Sequence, residues 1–236
     1  MNEATREMLM NVSVATLATA LFKRGLRHQV IQGVRPLGWK GRNMVGPAFT
    51  LRYIPAREDR NDISVFRNAD HPQRVAIESC PEGHVLVMDS RKQADAASAG
   101  DILITRLMMR GGAGVVTDGG FRDAATIAGL EMPAYHTRPS SPTNLTNNEA
   151  IAINEPIACG DAPVFPGDII VGDADCVIVL PAHLADELAA EAKEMTVYED
   201  FVVEQVKGGA GIIGLYPCTK DENREAFEAW RKTQGR

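Results

Sequence analysis

No stretch of this 236-residue chain approaches the run of about 18 uncharged apolar residues that a membrane-spanning helix needs. Cysteine is sparse as well. Cys80, Cys159, Cys176 and Cys218 lie far apart and form no C-x-x-C pair, so they read as reduced, mostly packed thiols rather than a disulfide framework. His28, His71, His84, His136 and His183 show neither H-x-x-x-H nor H-E-x-x-H spacing, which argues against a zinc site. Positive charge is in deficit, with 25 Lys and Arg against 31 Asp and Glu and a net charge of −6. That balance removes the bulk attraction on which non-specific nucleic-acid binding depends, and no nucleic-acid partner is expected. The opening MNEATREMLMN carries acids where a secretory signal would place basic residues before an apolar run, so a cytoplasmic location is expected. No G-K-[ST] is present. Gly111, Gly112 and Gly114 follow a helical pattern and precede a strand, the reverse of a phosphate-binding loop, and so read as a helix-to-strand turn.

What is present is an ordinary globular composition, 44% hydrophobic and 24% charged, over a length that suits one well-buried domain. Periodicity predicts a helix over 4–24 closed by Gly25, then short β-like pieces from Val30 to Leu51, broken by Gly33, Pro36, Gly41, Gly46 and Pro47. HVLVMD (84–89) reads as a buried strand, and ILITRLMMR (102–110) as a helix. Val115–Val116 read as a strand, RDAATIAGL from Arg122 as a helix, and Met132–Tyr135 as a strand. Residues 137–149 are loop-like, and a β-rich block runs to Pro181. A long helix over 183–201 and a terminal helix over 221–232 complete the chain. The expectation is a single α/β domain spanning residues 1–236.

Asp101 and the pair Arg122-Asp123 are the most informative polar residues. A helix of about nine residues runs roughly 13 Å outward. A strand of about five then returns roughly 16 Å. The two ends therefore finish on one side of the fold, where two carboxylates, a guanidinium and helix N-terminal amides converge. Such a spot suits a hard divalent cation with an anionic substrate. Spacing alone leaves a second reading open, in which Asp101 and Asp123 cap helices and Arg122 pairs on the surface.

The stretch GDILITRLMMRGGAGVVTDGGFRD (100–123) resembles the RraA-like family, which includes 4-hydroxy-4-methyl-2-oxoglutarate aldolases: an acid, twenty intervening residues, then Arg-Asp. GVRPLG (33–38), VGPAFTLR (45–52) and PGDIIVGDADCVIVLP (166–181) extend the likeness over most of the chain. The resemblance implies a compact layered α/β sandwich of the swivelling-domain type, with N- and C-terminal helices, assembled as trimers or hexamers with sites at subunit interfaces. It implies that Asp123 binds Mg²⁺ or Mn²⁺ directly and that Asp101 holds a water on the metal. Arg122 would bind the pyruvyl end of a 2-oxo acid. Gly100 and the backbone N–H groups of Ile102 and Leu103 would receive the substrate's carboxylate. A glutamate from a neighbouring subunit's C-terminal helix, Glu194 or Glu199, would complete the site.

Breaking a bond to a 2-oxo acid leaves a pyruvate enolate, which a divalent ion stabilises as a Lewis acid, so no Schiff-base lysine is required. The implied activity is a class II lyase cleaving a 4-hydroxy-2-oxo acid, with oxaloacetate decarboxylation through the same enolate. The alternatives are a sugar-acid dehydratase or lyase, and a non-catalytic protein that inhibits a ribonuclease by docking to it. Thr19-Ala20-Leu21, Asp173-Ala174-Asp175-Cys176-Val177, the loop 135–150 and the tail 214–230 depart from the family pattern. They leave the pyruvyl end intact and bear on the rest of the substrate.

Overall fold

Alternating side chains in Met44–Pro55 build the longest strand of the protein and divide its core. Phe49, Leu51 and Tyr53 face one apolar cluster, while Met44 and Ala48 face another. A computed structural model describes residues 1–235. Its helices are α1 Glu3–Leu9, α2 Val14–Lys23, α3 Pro72–Ser79, α4 Asp101–Met109, α5 Ala124–Ala128, α6 Ala185–Lys207 and α7 Asp221–Gln234. The first strands are β1 Val30–Ile31, β2 Arg35–Pro36, β3 Met44–Pro55, β4 Val85–Asp89, β5 Ala97–Ala99, β6 Gly114–Thr117 and β7 Gly120–Phe121. The later ones are β8 Ala134–His136, β9 Arg138–Pro139, β10 Asn148–Ile153, β11 Ile157–Cys159, β12 Ala162–Val164, β13 Ile169–Gly172 and β14 Val177–Leu180.

The main sheet has the order β1-β14-β13-β3-β4-β6-β8-β2, with β10 also pairing to β3. Its centre, β3-β4-β6-β8, is parallel, and the flanking pairs are antiparallel. Strand alternation sorts the core. Leu86, Met88 and Val115 pack with α3, α4 and α5. Ile169, Val171, Ile178 and Leu180 pack with α1, α2 and α6. The opposite face gathers Val85, Val87, Val116, Ile170, Val177 and Val179, and the sheet curls over these with the β11–β12 hairpin. Gly172 marks how tightly it curls, since a Cβ there would stand 2.8 Å from Cζ of Tyr135 on β8. The layered α/β architecture expected from the sequence is the observed one.

Three local expectations need correction. The predicted helix over 4–24 is two helices. Asn43 Nδ2 donates to Leu9 O and Val12 O at the end of α1, and Ser13 Oγ accepts from Thr16 N to cap α2. The carboxylate of Asp173 takes the Val14 N–H of that new helix. The predicted breaks at Gly46 and Pro47 also fail, because β3 runs through both. Ala48 N–H donates to Asp168 O on the β13 side. By alternation the donor that Pro47 lacks points the other way, where pairing with β4 begins only at Ala48 opposite Val85. The α6 helix extends past the predicted 201 to Lys207. It is joined to α7 by Phe201, Phe227 and Trp230, with ring centroids 5.5–6.2 Å apart.

Candidate active site

Parallel strands β4, β6 and β8 are each followed by a second, shorter strand, and β5, β7 and β9 form a small parallel ladder of their own. Ala99 at the end of β5 lies opposite Phe121 at the end of β7. The chain therefore leaves both strands side by side, as Gly100-Asp101 and as Arg122-Asp123. Arg122 N–H donates to Ala99 O at 3.1 Å, which locks the two exits together. This ladder is the physical reason that residues 22 positions apart in sequence converge, as the helix-out, strand-back arithmetic anticipated.

Asp123 has left-handed backbone, φ 56°, and stands at the N-cap of α5 without making a side-chain cap bond. A capping role is thus not what holds it. Its Oδ2 lies 3.5 Å from Arg122 Nε, and the two side chains are 42% and 52% exposed. Asp101 is the first residue of α4, whose N-cap is Gly100. Its Oδ1 accepts from the N–H of Ile102 at 2.8 Å. One of the two amides expected to receive a substrate carboxylate is therefore held by Asp101 itself. Leu103 N–H is a first-turn donor of the kind that has no acceptor within its helix.

These residues line one cleft of about 340 Å³ together with Ile63, Phe66, Gln73, Arg74, Thr143 and Asn144. The volume suits a small acid. Gln73 and Asn144 are buried in its wall. Gln73 Nε2 donates to Ser98 O at 2.6 Å and to Asn144 Oδ1 at 3.3 Å, and Asn144 Nδ2 donates to Asn148 O at 3.1 Å. Neither can swing without breaking buried bonds. None of these polar residues was singled out from sequence. Gln73 and Arg74 sit in a short helix with no motif around them, and Asn144 lies in what reads as an ordinary loop.

The chain brings Gly100, Asp101, Ile102, Leu103, Arg122 and Asp123 together and leaves Glu194 and Glu199 elsewhere. Glu194 pairs with Arg231 at 2.9 Å. Glu199 accepts from Thr16 Oγ1 at 2.9 Å and from the Tyr216 hydroxyl at 3.2 Å. Neither lines the cleft of its own chain. His136 is buried, stacked on Phe121 at 5.6 Å, and does not line the cleft. Cys176 is half-buried, and burial pushes its thiol up to about 11, which suits a packed thiol rather than a nucleophile.

Among the described residues no cluster of three or more His, Cys, Asp and Glu could hold a metal. The cleft instead offers carboxylates at Asp101 and Asp123, with no thiol or imidazole beside them. That donor set fits a hard cation that keeps most of its waters, as Mg²⁺ does, and does not fit zinc.

The curled sheet and this cleft define an RraA-type α/β protein. The chain matches the RraA-like family, described as Aldolase/RraA, over residues 14–179, and it belongs to that family. It is 31% identical over 165 residues to a Halalkalibacterium halodurans protein named "Putative 4-hydroxy-4-methyl-2-oxoglutarate aldolase", covering 68% of this chain and 70% of that one. It is 26% identical over 206 residues to Protein DlpA of Legionella pneumophila, covering 86% of this chain but 32% of that longer protein. In structure it resembles Streptomyces coelicolor RraAS2, described as an unusual member of the RNase ES inhibitor RraA protein family. The TM-score is 0.74 at 29% identity, over 85% of this chain and 96% of that one. No helix among the described residues is long and apolar enough to cross a membrane.

Proposed function

We propose that the protein is a carbon–carbon lyase that releases pyruvate from a small 4-hydroxy-2-oxo acid. The observation that carries this reading is the meeting of Asp101, Arg122 and Asp123 in one open cleft, with the Asp123 carboxylate in no cap bond. Arg122 grips the 2-oxo-carboxylate end through its planar fork of donors. Leu103 N–H and the positive end of α4 complete that hold. Asp123, with Asp101 beside it, holds a divalent cation, Mg²⁺ or Mn²⁺, which when bound supplies Lewis-acid stabilisation of enolate charge.

Asp101 keeps one oxygen on Ile102 N–H and orients a water with the other. That water relays the proton of the substrate's 4-hydroxyl to the Asp101 carboxylate. The C3–C4 bond then breaks, the carbonyl product leaves, and its electron pair passes to the 2-oxo oxygen as an enolate. Proton return to C3 yields pyruvate. Oxaloacetate reaches the same enolate by losing carbon dioxide, so decarboxylation accompanies the aldol activity.

A homo-oligomer with shared sites accounts for the absence of Glu194 and Glu199 from the cleft of their own chain. Between these two, Glu199 is the better candidate for completing a neighbour's site. It is held by two neutral hydroxyls, whereas Glu194 is neutralised by Arg231.

The test is pyruvate release from 4-hydroxy-4-methyl-2-oxoglutarate and from oxaloacetate, with Mg²⁺ and after EDTA. Release that needs both protein and metal supports the reading. No release above the metal-only background from either acid overturns it, and moves weight to a sugar-acid lyase or to ribonuclease inhibition of the kind named for the family of RraAS2.

A further inference from the structure

Arg74 is the second guanidinium in the cleft, and the pyruvyl chemistry does not use it. It follows Gln73 on α3, a helix started by Pro72 at its first turn. Gln73 is buried beneath the cleft, so the next residue on the helix emerges at the cleft wall. The Arg74 guanidinium carbon lies 4.7 Å from the centroid of the Phe66 ring, a cation–π platform. Phe66 is itself braced edge-on by His71, with centroids 5.1 Å apart at 64°. His71 is buried, so the platform is held from behind.

Among the described residues no carboxylate lies within ion-pair distance of Arg74, and its side chain makes no hydrogen bond. Arg106 and Arg24, by contrast, are tied to glutamates at 2.5–2.8 Å. A stacked guanidinium keeps its in-plane N–H donors free, and those donors match a carboxylate. Gln73 and Asn144, which line the same cleft, are neutral and locked by hydrogen bonds. The cleft thus holds two guanidinium groups from different elements, one on α3 and one after β7, in a volume of about 340 Å³.

We infer that Arg74, standing on Phe66, is a specificity-determining residue that grips a second carboxylate at the far end of the substrate from Arg122. This rests on the proposed reading of Arg122 as the anchor of the 2-oxo-carboxylate. It selects acids charged at both ends over neutral-tailed acids of the same length.

The experiment uses two non-cleaved probes, 2-oxoglutarate and 2-oxopentanoate, which share the pyruvyl end and length and differ in the distal carboxylate. Binding is measured by calorimetry with Mg²⁺, on the intact oligomer. Wild type is expected to favour 2-oxoglutarate by about tenfold or more. Arg74→Gln should bring the ratio close to one while leaving 2-oxopentanoate within about twofold of wild type. Phe66→Leu should reduce the ratio partway, because the guanidinium loses its platform. Unchanged melting temperatures show that both variants fold.

Equal weakening of both probes by Arg74→Gln, or a wild-type ratio near one, overturns the inference. Selectivity without pyruvate release in the turnover assay leaves Arg74 assigned and overturns the lyase reading. Turnover without selectivity does the reverse. Binding of neither probe by wild type removes both.

Discussion

Gly100 has no room for a side chain against Arg122. A Cβ on Gly100 would stand 2.9 Å from Arg122 Cγ and 3.0 Å from Asp123 Oδ2, so the bare α-carbon lets the arginine fold over the start of α4. Its φ of −118° is open to any residue, so contact rather than backbone conformation requires glycine here. Gly100→Ala should therefore shift Arg122 and Asp123 and spare the fold. We expect kcat/KM for pyruvate release to fall about a hundredfold with little change in melting temperature. Wild-type kinetics in this variant would show that the cleft tolerates the displacement.

Asp123→Asn tests the metal ligand without disturbing the chain. Asparagine accepts the left-handed φ of 56°, and no cap bond is lost. Metal-dependent turnover should fall about a hundredfold or more, with weaker Mn²⁺ binding by calorimetry and an unchanged fold by circular dichroism. Full activity would remove Asp123 from the site.

Arg122→Lys replaces a planar fork with a point charge. Loss of the paired N–H donors should raise KM for the 2-oxo acid about tenfold to a hundredfold. Unaltered KM would mean that Arg122 does not hold the carboxylate.

Glu199 supplies a test that depends on assembly. Asp123→Asn and Glu199→Gln oligomers, each inactive alone, should recover part of the activity when co-assembled, because some sites then combine an intact Asp123 with an intact Glu199. Co-purified mixed oligomers without recovered turnover would count against a shared site.

His136 gives the stability an acid dependence. Burial holds the ring neutral to about 4 from an ordinary value of 6.5, and its Nδ1 has no hydrogen-bond partner. Between those values the unfolded chain binds a proton that the native state refuses, so stability present at neutral pH is lost as pH falls from about 6.5 towards 4. The loss from this residue is of order 2–3 kcal/mol. Burial also lowers His71 and adds in the same direction. His136→Phe keeps the stack on Phe121 and should flatten this limb in urea unfolding measured from pH 7 to 4. An unchanged slope would assign the acid loss elsewhere.

Much of this molecule is legible along the chain because its strands obey local rules. HVLVMD, GVVT and the apolar run before Pro181 are buried on both faces and stand out as strands. The acid and Arg-Asp pair are legible because an element's length sets where its end falls. The misread places are those where a distant residue intervenes. Asn43 and Asp173, far along the chain, divide the first helix at a point where its own apolar stripe continues. Pro47 is tolerated because its neighbour strand starts one residue later.

By itself the sequence determined the α/β class, the family and the convergence of Asp101 with Arg122 and Asp123, since these follow from periodicity, motif and element length. Only the tertiary structure decided that Gly100 has no room for a side chain, that Arg74 and Phe66 line the same cleft as Arg122, and that Glu194 and Glu199 stand outside their own chain's cleft. Those relationships join α3, the β5–β7 ladder and α6 through space, and no local spacing encodes a contact between elements whose separation is set by how the sheet curls.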